Sequence, residues 1–352
     1  MEKSEMKDIF SFVRPGTRLR EGLDSILDGR KGALIVVGVD EETEKVLDGG
    51  FFLNCDYSPE RLFELSKMDG AIILDDNIEK ILYANVHLQP DKRYMTEESG
   101  TRHRTAQRIA KQLNKLTIAI SERKRVLTLY KGEIRYKLRP LSELTNEAAQ
   151  ALNTLERYRN VLEKSLGNLT ILELDDMVTV EDVCTVLQKF EMLKRIKKEA
   201  FDCIIELGTE GRLISLQLED LLRGTKEEEE EFLHDYYVFE NEKEIKNIKL
   251  MISELDNSEM LDLVKISTIL GFGKSVSKLD NRVTPKGYRI LNKFGKINDK
   301  DIDTLIRIFG ELSKIQIASA DELVERSEIS KFKANAVKKG FARLKFTVGL
   351  EK

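Results

Sequence analysis

The spacing of hydrophobic residues changes once along this chain, at Pro140, and that change restricts its fold more than any other feature. Before it the apolar runs are short and rich in β-branched residues, at 33–37, 71–74, 81–86, 116–120, 126–130 and 134–138. Runs of that length and type predict strands. Between them, 59–67 and 101–113 predict helices, the second because Ala106, Ile109, Ala110 and Leu113 recur at helical spacing. Asp75-Asp76-Asn77 separates two strand runs as a hairpin turn would, which predicts a mixed rather than wholly parallel sheet.

After Pro140, Leu141, Leu144, Ala148, Ala151, Leu155, Tyr158 and Leu162 fall three and four apart on one stripe, as in a long helix. Thr179 is the expected N-cap and Gly208 the expected stop of a second long helix, with Val183, Phe190, Leu193, Ala200 and Ile204 on its apolar face. The acidic run 227–231 reads as a solvated helix face or loop. From Thr284 onward Pro285, Gly287, Gly295, Gly310 and the stretch 327–330 punctuate short helices, and the last helix is expected to end near Gly340. The expected architecture is multidomain: an N-terminal α/β domain with a mixed sheet over 1–140, an all-α spine over 141–283 and an all-α domain of helical hairpins over 284–352.

The chemistry is bounded by what the 352 residues include and omit. Apolar residues at 41% and charged residues at 34% provide for packed cores under a charged surface, which excludes a disordered chain. No apolar run approaches the roughly 18 residues of a membrane span, and the start lacks the basic and greasy regions of a secretory signal, so a cytoplasmic protein with no membrane partner is expected. Cys55, Cys184 and Cys203 are scattered, and the histidines at 87, 103 and 234 share no metal-ligand spacing. Any metal must therefore be held mainly by oxygen. The net charge of −4 conceals an asymmetry: 282–352 holds 16 Lys and Arg against 9 Asp and Glu, leaving −11 for the rest. A basic C-terminal end suits nucleic acid.

Gly100-Thr101-Arg102-His103-Arg104-Thr105-Ala106 puts three basic side chains at the start of a helix. A helix start carries partial positive charge and unpaired N–H groups, so cations there are disfavoured by up to about 1 kcal/mol. A bound polyphosphate resolves the conflict, accepting from the amides, from the hydroxyls of Thr101 and Thr105 and from both guanidiniums. A solvated basic first turn capped by Thr101 is the other reading. Asp69-Gly70-Ala71 sets a carboxylate just before a strand, within reach of a Mg2+ or Mn2+ ion, although Asp-Gly alone is more often a turn. Ser121 and Glu122 follow the strand at 116–120 and read either as phosphate and metal contacts or as a polar turn, the latter favoured for Glu122. His87, in an otherwise apolar strand, reads as a packed or solvent-edge residue.

The Asp69-Gly70-Ala71 and Arg102-His103-Arg104 motifs, at this separation, resemble those of the diadenylate cyclases. Gly49-Gly50-Phe51, Glu64-Leu65-Ser66-Lys67-Met68 and Ala84-Asn85-Val86-His87-Leu88 are similar to one branch of that family, in which a helical spine and a helix-hairpin-helix module follow the cyclase domain. The resemblance spans nearly the whole chain. It implies that Asp69 binds the divalent metal, that Gly70 and Leu88 contact ATP through their backbone, and that Thr101, Arg102, His103, Arg104, Thr105 and Ser121 line the phosphate site. It further implies two ATP molecules joined between facing subunits of an octamer, consistent with an uncovered helical stripe, and a bacterial cytoplasmic protein that meets branched DNA at the nucleoid.

The last module departs from the family pattern. A helix-hairpin-helix turn normally reads Gly-hydrophobe-Gly, whereas this chain has Glu328-Ile329-Ser330, and DNA attraction there falls to Lys331, Lys333, Lys338 and Lys339. A basic helical domain used for assembly is the other reading of this segment. Two further functional readings stand beside the cyclase: a branched-DNA scaffold whose nucleotide site only senses ATP, and a kinase or phosphohydrolase. The absence of a GxxxxGK[ST] loop counts against the last.

Overall fold

Why the short apolar runs become strands is visible in what covers them. The computed structural model describes residues 9–237 and 242–350. Its contacts group into two units, Met1–Gln150 with Ala200–Leu216, and Ala151–Glu199 with Gln217–Lys352.

The first unit holds strands β1 (Ala33–Val37), β2 (Leu47–Asp48), β3 (Phe51–Asp56), β4 (Ala71–Leu74), β5 (Lys80–Leu88), β6 (Leu116–Ser121), β7 (Val126–Lys131) and β8 (Ile134–Lys137). They pair in the order β2-β5-β4-β1-β6-β7-β8, with β3 also on β5. Strand β1 runs parallel to β4 and antiparallel to β6, so the sheet is mixed as expected. The period of two sends alternate side chains to opposite faces. Ile35, Val37, Ile72, Leu74, Ile118 and Ile120 pack under helix α1 (Arg18–Asp28) and helix α2 (Pro59–Leu65) through Leu19, Leu23, Ile26 and Leu62. Leu34, Val36, Ala71, Ile73 and Ala119 pack under helix α3 (Thr101–Leu113) through Ala106, Ile109 and Ala110. Each large aliphatic side chain buried this way contributes about 1.5–3 kcal/mol. The Asp75-Asp76-Asn77 turn does join antiparallel β4 and β5: Asp75 N–H donates to the Lys80 carbonyl, and Asp75 Oδ1 accepts from Lys80 N–H at 2.7 Å.

Helices α4 (Leu141–Leu174) and α5 (Val180–Leu207) are the two long helices expected. The Thr179 cap is reciprocal, since Thr179 Oγ1 accepts from Asp182 N–H at 3.3 Å while Asp182 Oδ2 accepts from Thr179 N–H at 2.9 Å. Gly208, at φ +55°, ends α5. The stripe on α4 is not uncovered: Leu144, Ala148, Leu155 and Leu162 are buried within this chain, and Leu141 and Val161 are the large apolar side chains of 141–166 that stay exposed.

In the second unit, helix α6 (Thr225–Tyr236) carries the acidic run, which is helical but not simply solvated. Glu229 is 4% exposed and pairs with Lys194 and Lys249, and Glu231 accepts from Asn292. Helices Glu242–Glu254 and Leu263–Ile269 come next, and from Tyr288 onward five more: α7 (Tyr288–Asn292), α8 (Asp299–Phe309), α9 (Leu312–Ile317), α10 (Ala320–Ser327) and α11 (Lys331–Leu350). They close around Ile290, Leu291, Leu305, Leu312, Leu323 and Val337. Helix α11 runs through Gly340 rather than ending there, because no Pro or left-handed residue interrupts it. Glu328, at φ +56°, Ile329 and Ser330 make the turn between α10 and α11. Among the described residues no helix is long and apolar enough to cross a membrane.

Candidate active site

Helix α3 begins on backbone that no side chain caps. Gly100 holds the N-cap in an extended conformation, and no acidic residue occupies the first turn. The first bond of the helix runs from Arg104 N–H to the Gly100 carbonyl at 2.8 Å, which leaves the amides of Thr101, Arg102 and His103 directed out of the helix start.

Those amides border a cleft of about 290 Å3 whose lining includes Gly70, Val86, His87, Leu88, Thr101, Arg102 and Thr105. Gly70 cannot be another residue without distortion. Its φ is +92°, and a Cβ there would stand 2.8 Å from the Asn85 carbonyl carbon and 2.9 Å from Val86 N. The close approach of the 69–70 turn to β5 is what brings Gly70 and Leu88 to one side of the cleft, with α3 on the other.

Of the residues singled out from sequence, Gly70, Leu88, Thr101, Arg102 and Thr105 converge on this cleft. Asp69, adjacent to Gly70, is exposed. Arg104 is exposed and is not among the lining residues. Ser121, at the end of β6, accepts from Lys124 N–H at 3.2 Å inside the β6–β7 turn, and Glu122 is exposed in that same polar turn. His87 is exposed at the cleft rather than packed.

His103 points elsewhere. Its Nδ1 lies 3.0 Å from the Tyr130 hydroxyl, which donates to Glu98 Oε1 at 2.8 Å; Arg135 Nε donates to the same oxygen at 2.5 Å. Because the Tyr130 proton is committed to Glu98, the hydrogen-bond pattern assigns the imidazole proton to Nδ1 and leaves a lone pair on Nε2. Burial lowers the His103 pKa below its usual 6.5 against the upward pull of Glu98, so the ring is neutral at pH 7. Burial raises Glu98, but the hydrogen bonds from Arg135 and Tyr130 outweigh it and hold the carboxyl below the usual range. Burial and the Glu98 carboxylate push the Tyr130 phenol up, so it stays protonated.

Arg102 packs on Gly32, which precedes β1. Gly32, Glu98 and Tyr130 were not singled out from sequence. Glu98 alone left a signal, an acid just ahead of a basic helix start.

Among the described residues no three His, Cys, Asp or Glu side chains converge as a metal cage. The single Asp69 carboxylate suits a hard divalent ion that takes its other ligands from phosphate oxygens and water.

The basic end of the chain is more engaged than its sequence implies. Lys338 Nζ donates to the carbonyls of Gln316 and Ala318, both at 2.7 Å, Lys333 pairs with Asp301 at 2.6 Å and Lys331 with Asp321 at 3.4 Å. Lys339 is exposed.

Residues 20–134 match the family model described as the DisA bacterial checkpoint controller nucleotide-binding region, and residues 138–279 match the DisA bacterial checkpoint controller linker region. The chain is 50% identical to the DNA integrity scanning protein DisA of Fusobacterium nucleatum over 100% of both chains. It is 46% identical to the protein of that name from Carboxydothermus hydrogenoformans, over 95% of each chain, and 45% identical to that of Clostridium perfringens, over 99% of this chain and 98% of that one. A nucleotide-binding region with its cleft at a basic helix start, and relatives matched end to end, lead to one conclusion: the chain belongs to the DisA family of diadenylate cyclases.

Proposed function

We propose that this chain condenses two ATP molecules into cyclic di-AMP and two pyrophosphates, with each ribose 3′-hydroxyl attacking the α-phosphate of the other nucleotide. The observation that carries the reading is the cleft in which the uncapped start of α3 faces the Gly70 turn and Leu88. The amides of the helix start and the Thr101 and Thr105 hydroxyls donate to phosphate oxygens, and the Arg102 and Arg104 guanidiniums offset the charge that builds on the leaving pyrophosphate. Gly70 and Leu88 present backbone to the nucleotide, Ser121 lines the phosphate side from the end of β6, and His103, its ring held by Tyr130, contributes its helix-start amide. Asp69 is the protein ligand for Mg2+ or Mn2+, which when bound neutralises the phosphates and orients them.

One cleft holds one nucleotide, so the reaction requires two subunits face to face, and an octamer assembled through the cyclase domain and the spine supplies them. The segment 284–352 is proposed as a helix-hairpin-helix module that reports branched DNA to the cyclase, with 1–140 and 141–283 as cyclase domain and spine. The relatives' name, DNA integrity scanning protein, and the +7 charge of 282–352 support this.

Incubating the purified chain with ATP and Mg2+ or Mn2+ and separating the products tests the reaction. Cyclic di-AMP is expected, and Asp69→Asn removes it without altering the fold. ATP binding with no turnover under both metals overturns the cyclase and leaves a scaffold that senses ATP.

A further inference from the structure

Along one face of α11, residues 332, 336, 339, 340, 343 and 344 recur three and four apart and line a groove of about 370 Å3 closed by Gly167, Thr170 and the 293–296 turn. Its lining holds Lys293, Lys296, Lys339 and Arg343 and no Asp or Glu. Among the described residues none of these four cations has a carboxylate within ion-pair distance, although Glu173, Glu228 and Glu231 act on Lys293 from further away. The contrast with Lys331, Lys333 and Lys338, each tied to an acid or to carbonyls, is local and specific.

The groove is also aromatic. Phe332 is 66% exposed, with Lys296 Nζ 5.5 Å from its ring centroid, and Phe294 lies so close over Gly340 that a Cβ there would meet the ring at 2.5 Å. An inorganic anion has no use for an open phenyl. Cations one helical turn apart, about 5.4 Å along the axis, beside an exposed ring suit a strand whose phosphates repeat at similar spacing and whose bases are unstacked.

We infer that this groove, and not the glycine-less turn at Glu328-Ile329-Ser330, is where the C-terminal unit grips a single-stranded stretch of nucleic acid. Lys296, Lys339 and Arg343 take successive phosphates and Phe332 takes a base. The inference rests on the DNA-sensing reading given above and names the surface and strand state involved. A branched DNA that carries a gap or a displaced strand exposes such an unpaired stretch.

The test is fluorescence anisotropy of the full chain with a labelled single-stranded oligonucleotide and a labelled four-way junction across a salt series. Lys339→Glu with Arg343→Glu is expected to weaken strand binding at least tenfold, and Lys339→Ala with Arg343→Ala to flatten the plot of log affinity against log salt by about 1.4, two phosphate contacts on a single strand. Phe332→Ala, which removes an exposed ring, is expected to weaken it about fivefold or more. Unchanged melting temperature and cyclase rate show that the variants fold. Wild-type affinity and salt slope in all of them, with junction binding intact, overturns the groove alone, whereas a wild-type chain that binds neither DNA overturns the DNA-sensing reading itself. Saturable AMP binding lost in the same variants, with no strand binding, replaces the strand by a free nucleotide and also overturns the inference.

Discussion

The Arg102 guanidinium lies against the backbone of Gly32: a Cβ on Gly32 would stand 2.1 Å from Arg102 Nη1 and 2.8 Å from Cζ, with the Ile120 carbonyl oxygen 3.1 Å away. The arginine at the helix start is thus positioned by a residue 70 positions earlier. Gly32→Ala must push the guanidinium from the cleft while leaving β1 paired, because φ at Gly32 is not in the left-handed region. The expected result is a fall in kcat/KM of about 10- to 100-fold with little change in thermal stability. A melting temperature that drops as far as the rate would show that Gly32 serves the fold instead.

Gly70 makes the opposite case, where fold and site cannot be separated. Its φ of +92° and the 2.8–2.9 Å approach to the Asn85–Val86 backbone both forbid a side chain. Gly70→Ala is expected to lose about 1–3 kcal/mol in urea unfolding and most of the cyclase activity together. Gly49→Ala, also at positive φ but with nothing within 4 Å of a built Cβ, should show the conformational cost alone.

These two glycines also mark how much the sequence discloses. The bounds of α3 follow from its apolar spacing, and Ala33–Val37 and Ala71–Leu74 are strands over the residues their composition predicts. Each of those signals is local and periodic. Strand β3 escaped because Phe51, Phe52 and Leu53 are exposed and its register on β5 slips at Phe52/Cys55, so no alternation survives to be read. Helix α1 escaped although Thr17 caps it and Leu19, Leu23 and Ile26 mark its buried side; those signals were legible. The His103–Tyr130–Glu98 chain joins residues 27 and 32 positions apart, and no spacing rule announces such a contact. The same holds for Glu229, whose burial depends on Lys194 and Lys249 arriving from other helices.

The histidine of the basic helix start should titrate as a buried ring. Its folded pKa lies below 6.5, chiefly through burial, so between that value and 6.5 the unfolded chain binds the proton that the native state refuses. Stability from neutral His103 is therefore present above pH 6.5 and is lost as the pH falls through the folded pKa. An NMR titration of the His103 ring is expected to show a midpoint below 6.5. Tyr130→Phe removes the hydroxyl that links His103 Nδ1 to Glu98 Oε1 and is expected to cost about 1 kcal/mol. A His103 midpoint at or above 6.5 would sink this account.

In the second unit the carboxylate of Asp235, on α6, holds the start of α7. Its Oδ1 accepts from the Gly287 and Tyr288 amides, both at 2.6 Å, and its Oδ2 from the Arg289 amide at 3.0 Å. Arg289, 2% exposed, reaches Glu173 and Thr170, and the Tyr236 hydroxyl donates to Glu173 at 2.6 Å. Asp235→Ala strands three N–H groups, two of them buried, and is expected to cost about 3 kcal/mol or more in urea unfolding. Burial first, then the Glu173 charge, raises the Asp235 pKa from 3.8 to about 7. The native state thus keeps a proton that the unfolded chain has released, so this group's contribution declines as the pH rises from 3.8 to about 7 and is level above it. Asp235→Asn keeps one oxygen for the amides and never ionises, so the stability of wild type relative to Asp235→Asn should fall across that window. A difference that stays flat from pH 4 to 8 would mean that the amides of α7 hold Asp235 ionised throughout.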